Sequence, residues 1–70
     1  MVTIQVCLTL ADAEAIQARL EGSGIHVYLP DKLAAETDLP LIQASGGIHI
    51  LVNESDEARA NQILNDSQQG

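Results

Sequence analysis

Gly46-Gly47-Ile48-His49-Ile50-Leu51-Val52-Asn53 is the stretch on which the fold turns. A glycine pair opens it. Ile48, Ile50 and Val52 then alternate with His49 and Leu51, the period of a strand with one buried face. Asn53 stands where a helix N-cap belongs, and Glu54, Asp56 and Glu57 complement the positive end of the following helix dipole. Ala60, Ile63 and Leu64 give that helix its apolar stripe. Residues 46–64 therefore read as strand, cap and helix, followed by a polar tail from Asn65, with 67–70 expected to be disordered.

The chain's opening repeats this unit. Shifted by forty-four residues, Ile4 meets Ile48, Val6 meets Ile50, Leu8 meets Val52, Thr9 meets Asn53, Asp12 meets Asp56 and Leu20 meets Leu64. Between Thr3 and Leu10, Ile4, Val6 and Leu8 share one face of a strand while Thr3, Gln5, Cys7 and Thr9 share the other. Thr9 is an N-cap with Asp12 three residues on. Ala11 to Glu21 consists mostly of good helix formers, with Ala13, Ile16 and Leu20 as the buried stripe. Gly22-Ser23-Gly24 ends the helix.

Between the two units, Ile25, Val27 and Leu29 alternate with His26 and Tyr28 as a further strand, and Pro30 stops it. Residues 31–45 are the least regular. Asp31 is placed to cap one helical turn through Lys32–Glu36, and Pro40 opposes continuation. Leu33, Leu39, Leu41 and Ile42 are too many apolar residues for a free linker, so a compact, packed loop is expected.

The element order is then β-α-β-β-α, an α+β fold matching a ferredoxin-like split unit without its usual fourth strand. A right-handed crossover leaves a gap between the first two strands. The third fills it, giving sheet order 1-3-2 with both helices on one face. The glycine-led strand is central, and the first strand lies at an edge that invites pairing.

Composition narrows the function classes. Seventy residues make one domain, at 1–66, near the lower limit for independent folding. Twenty Val, Ile and Leu with one Tyr, no Phe and no Trp give a thin aliphatic core, which favours self-association. A formal net charge of −7, with only Arg19, Lys32 and Arg59 as cations, argues against nucleic acid and anionic membranes as partners. No stretch reaches the roughly 20 apolar residues of a membrane span, and Met1-Val2-Thr3-Ile4-Gln5 lacks the basic head of a signal peptide. One cysteine, Cys7, allows no internal disulfide and fits a reducing compartment, so the cytoplasm is expected.

The sheet face away from the helices is expected to carry Gln5, Cys7, His26, Tyr28, His49 and Leu51. Tyr28, Leu51 and His49 give a mixed apolar and polar surface with few charges, suited to a protein partner. With cross-strand neighbours about 4.5–5.5 Å apart at Cβ, His26, His49 and Cys7 are also candidates to converge as zinc or copper ligands. Gly46-Gly47 leads into a strand and not into a helix N-terminus, which makes it structural and not a phosphate cradle. Cys7 has no electropositive setting to activate it, and nothing marks an oxyanion hole. Asp31, Glu36 and Asp38 match no cation-binding loop. No catalytic residue and no cofactor are expected.

Ala13-Glu14-Ala15-Ile16 with Leu20, Glu21 and Gly24-Ile25, then Gly46-Gly47-Ile48 with Leu51-Val52, then Ala60 with Ile63-Leu64, resembles a family of small bacterial domains over residues 3–66. Its members are described as putative prokaryotic signal-transducing proteins of unknown function, with PII-like, ferredoxin-like folds. The resemblance implies a non-enzymatic signalling or protein-interaction module. Independently of the resemblance, the open face, the first-strand edge and the 31–45 loop are expected to meet a protein partner or small effector, and the uncovered edge and thin core point to a homo-oligomer formed through the first-strand edge or the open sheet face. Residues that grip phosphate in PII proteins are lacking, Lys32 being alone in the long loop.

Overall fold

A computed structural model describes residues 1–69, with side chains through Asp66; the tail expected at 67–70 lies outside those described side chains. Three strands form the sheet: β1 (Val2–Cys7), β2 (Val27–Tyr28) and β3 (Ile48–Val52), in the order β1-β3-β2 with both pairs antiparallel. Helices α1 (Leu10–Gly22) and α4 (Glu57–Gln69) follow β1 and β3. The expected ferredoxin-like βαββα arrangement with sheet order 1-3-2 is what the chain adopts.

The central strand shows the purest alternation. Ile48, Ile50 and Val52 are fully buried, with His49 and Leu51 half-exposed between them. Leu20 and Ala13 of α1, Ala60 and Leu64 of α4, and Ile25 close over that face. The end of α1 is fixed by backbone bonds. Gly24 N–H donates to Glu21 O and Ile25 N–H to Leu20 O, each at 3.0 Å, with Gly24 at φ 84°. This is a Schellman stop, and it brings Leu20 and Ile25 together in the core.

Residues 31–45 are more ordered than a compact loop. They form two short helices, α2 (Lys32–Thr37) and α3 (Leu39–Ala44). Pro40 does not end a helix here but helps start one, since the first helical turn needs no N–H from it. Asp38 interrupts the two, and its carboxylate accepts the Leu41 N–H at 3.2 Å. Ala35 is buried, and Leu39 and Ile42 pack against the core.

Gly47 is the glycine that the entry into β3 requires. Its φ is 115°, and a Cβ there would stand 2.8 Å from both Cys7 O and Val6 Cγ1. The chain passes too close to β1 for any side chain. The other expected strand, Ile25–Leu29, contracts to Val27–Tyr28: Ile25 N–H is engaged by Leu20 O in the stop of α1, and at the other end Pro30 offers no N–H to the ladder. No helix among the described residues is long and apolar enough to cross a membrane.

Candidate functional site

The face of the sheet opposite the helices is built by register. Val6 pairs with His49, Thr3 with Leu51, and Tyr28 with Leu51 on the other side. Residues opposite each other on antiparallel strands point to the same face, so Thr3, Val6, His49, Leu51 and Tyr28 share it. Val6 and Tyr28 are 41% and 42% exposed. The His26 and Tyr28 rings lie 5.1 Å apart at an interplanar angle of 56°, a tilted pair at the outer rim.

Gln5 and Cys7, expected on this face, lie on the other. The register slips between Thr3 and Gln5: two steps along β1 match one step along β3, from Leu51 to Ile50. This is a β-bulge, and it inverts the alternation for the rest of the strand. Cys7 falls opposite Ile48 and Gln5 opposite Ile50, both on the helix side. Cys7 is buried, and burial first, then the Asp12 charge, raises its thiol above the ordinary value. Val6, expected in the core, comes out beside His49, and Leu8, beyond the strand, is exposed as well.

The metal reading fails on the same geometry. Cys7 faces away from His49. His26 and His49 stand four register positions apart along β3, roughly 13 Å at the rise of a strand. Among the described residues, no three His, Cys, Asp or Glu side chains are grouped to hold a metal ion.

His49 has a different partner, one that spacing alone does not reveal. Continued by two residues, the β2–β3 register would set Pro30 opposite His49, but the chain leaves the sheet there. The Asp31 carboxylate takes the vacated place. Its Oδ2 accepts the His49 backbone N–H at 3.0 Å and lies 3.0 Å from His49 Nδ1. The backbone bond first, then the ring bond, holds the Asp31 carboxyl below its ordinary value. Asp31 sits at the N-cap position of α2 yet gives that helix no side-chain bond, because its carboxylate is engaged by β3. Gln43 Nε2 donates to Leu8 O at 2.6 Å at the other end of the segment. Residues 31–45 are thus tied to the central strand beside the open face and to the chain leaving β1. A carboxylate directly after a strand-ending proline was the available signal.

Comparison with curated proteins and with solved structures gives no match. A family model does match over residues 8–68, from the residue after β1 to the last turn of α4. The chain belongs to the family described as "Putative prokaryotic signal transducing protein".

Proposed function

We propose that this chain is a non-enzymatic signalling module that recognises a protein partner through the open face of its sheet. One observation carries the reading. Val6 and Tyr28, each more than two-fifths exposed, flank half-buried His49 and Leu51 on a face over which the described residues lay no second layer. An apolar and aromatic centre with few charges suits a protein interface. The family description supplies the signalling context. The Asp31–His49 contact gives such a module a means of coupling, since a partner touching His49 also touches the anchor of α2 and α3. The single cysteine, Cys7, which allows no internal disulfide, supports a reducing, cytoplasmic setting.

A photo-crosslinking residue at position 28 tests the reading in the producing cell. The expected result is one discrete heterologous adduct, lost in a Leu51→Glu background and absent when the probe stands at exposed position 62 on α4. Equal adducts at both positions, or none at 28, would overturn it. So would an adduct of twice the chain's own mass, which would give the face to a second copy.

A further inference from the structure

We infer that the outer edge of β1, with the groove beside it, holds a second copy of this chain, β1 against β1 and α1 against α1 about a two-fold axis. Among the described residues β1 pairs only with β3, so one edge of it has no strand partner. Beside β1 lies a groove of about 460 Å³ bordered by residues 5–8, by α1 and by Leu64 of α4, a helix that also packs on β1.

The wall that α1 presents to the groove is Asp12, Ala15, Ile16 and Arg19. Those positions are i, i+3, i+4 and i+7, one stripe of a helix, distinct from the buried pair Ala13 and Leu20. The stripe is acidic at one end, basic at the other, and small and apolar between. Asp12 and Arg19 lie about 10.5 Å apart along the axis at 1.5 Å per residue, too far to pair within one chain. Asp12 stands at the Cys7 end of β1, close enough for its charge to act on the thiol. Arg19, in the last turn of α1, is at the opposite end.

A two-fold axis through the Ala15–Ile16 centre exchanges those ends. Asp12 of each copy then meets Arg19 of the other, giving two reciprocal ion pairs, and the same axis sets the β1 edges antiparallel. The operation is isologous, as in most soluble dimers. Two further observations favour a second copy over an unrelated strand. Each copy carries a net charge of −7, so close approach needs a cation placed at the contact. Lys32 pairs with Glu14, and Arg59 donates to Ser23 O. Arg19 alone among the described Lys and Arg side chains has no hydrogen bond or ion pair, and it lies in the groove. Ala15, at the axis, is small enough for the two helices to approach closely.

The α1 wall of the groove lies on the helix side of the sheet, while Val6 borders both the groove and the open face, so the two contacts meet at that residue. Sedimentation equilibrium on the full chain at high micromolar concentration tests the two-fold contact, with far-UV circular dichroism confirming that each variant is folded. Wild type is expected at twice 7.4 kDa. Asp12→Arg and Arg19→Asp, both at exposed positions, are each expected at the single mass, because each sets like charges together at both ends. An equimolar mixture of the two variants is expected at the doubled mass again. In the mixed dimer one chain carries cations at both ends of the stripe and the other carries carboxylates, so both contacts pair opposite charges. Ala15→Arg, which crowds the axis, is expected at the single mass whether alone or mixed. A wild-type chain at 7.4 kDa, reversals that remain dimeric, or a mixture that fails to recover the doubled mass would each overturn the inference.

Discussion

The β1–α1 unit and the β3–α4 unit align position for position at a shift of forty-four residues, yet they differ in what they bury. In β3 every second residue is fully enclosed. In β1 the alternation holds for Val2 and Thr3, then inverts, so that Cys7 is buried and Val6 exposed. The cause is position in the sheet. β3 is held by a ladder on each side, and an extra residue in it would break two registers. β1 is held on one side only, and a bulge there costs one irregular step. An edge strand therefore tolerates a change of face that a central strand does not. The bulge also twists the edge locally, one of the ways natural sheets limit indiscriminate edge pairing.

Aligned positions in the two units should respond to the same substitution very differently. Ile50→Ala removes a fully buried side chain packed between the helices and is expected to cost about 2–5 kcal/mol, near the whole stability of a domain this small. Val6→Ala, its counterpart at the forty-four-residue shift, changes a side chain 41% exposed on the open face and is expected to cost under about 1 kcal/mol. Urea unfolding of both variants reads the difference. Equal costs would mean that β1 keeps the regular alternation of β3 and that Val6 belongs to the core.

This contrast also marks how far the amino-acid order carries. Alternation in Ile48–Val52 was sufficient because the strand is regular, and the order β-α-β-β-α then fixed which strand lies in the middle. The same reading of Thr3–Thr9 assumed a regular backbone and so assigned Gln5 and Cys7 to the wrong face. Nothing in Val2–Cys7, neither glycine nor proline, announces the bulge. In residues 31–45 the helical turn at Lys32–Glu36 was legible, as α2, but α3 was not, because Pro40 reads as a stop until Asp38 is seen to cap the turn it begins. The groove stripe of α1, Asp12, Ala15, Ile16 and Arg19, was not legible, because apolar spacing on that helix picks out Ala13, Ile16 and Leu20 instead.

The sheet's two borders differ as well. On the β2 side the ladder stops after two residues, and the Asp31 carboxylate continues it to His49. Asp31→Asn keeps the shape but loses the charge from a bond to a backbone N–H and a ring nitrogen. A loss of about 1–2 kcal/mol is expected at neutral pH, the range for a charge-assisted hydrogen bond on a partly exposed group. The pH dependence has a definite sign. The folded-state carboxyl titrates below its ordinary value of 3.8, so its contribution is present above that value and fades as pH falls through the lowered one. The carboxylate's share of the stability gap between wild type and Asp31→Asn should therefore close as the solution is made more acid than the ordinary carboxyl value. Urea titrations at several pH values measure it. A gap that widens toward acid would mean that the carboxylate does not hold His49.

The smallest expected difference lies at the caps, where the two units look most alike. Thr9 is an N-cap in full: its hydroxyl accepts the Asp12 N–H at 3.2 Å and its carbonyl accepts that of Ala13. Asn53 occupies the same place but makes no side-chain bond. A tighter turn, Glu54–Asp56, comes between it and α4, and the Asp56 N–H goes to the Asn53 carbonyl at 2.9 Å. The backbone supplies there what a side chain supplies to α1. Thr9→Ala is accordingly expected to cost about 1 kcal/mol, whereas Asn53→Ala should cost only a few tenths, about the effect of a surface substitution. Thermal unfolding of the two variants beside wild type resolves the difference, and the order of their midpoints is the decisive reading. Asn53→Ala unfolding first would restore the equivalence of the units at the cap, and the tight turn would then be a consequence of the Asn53 side chain and not a substitute for it.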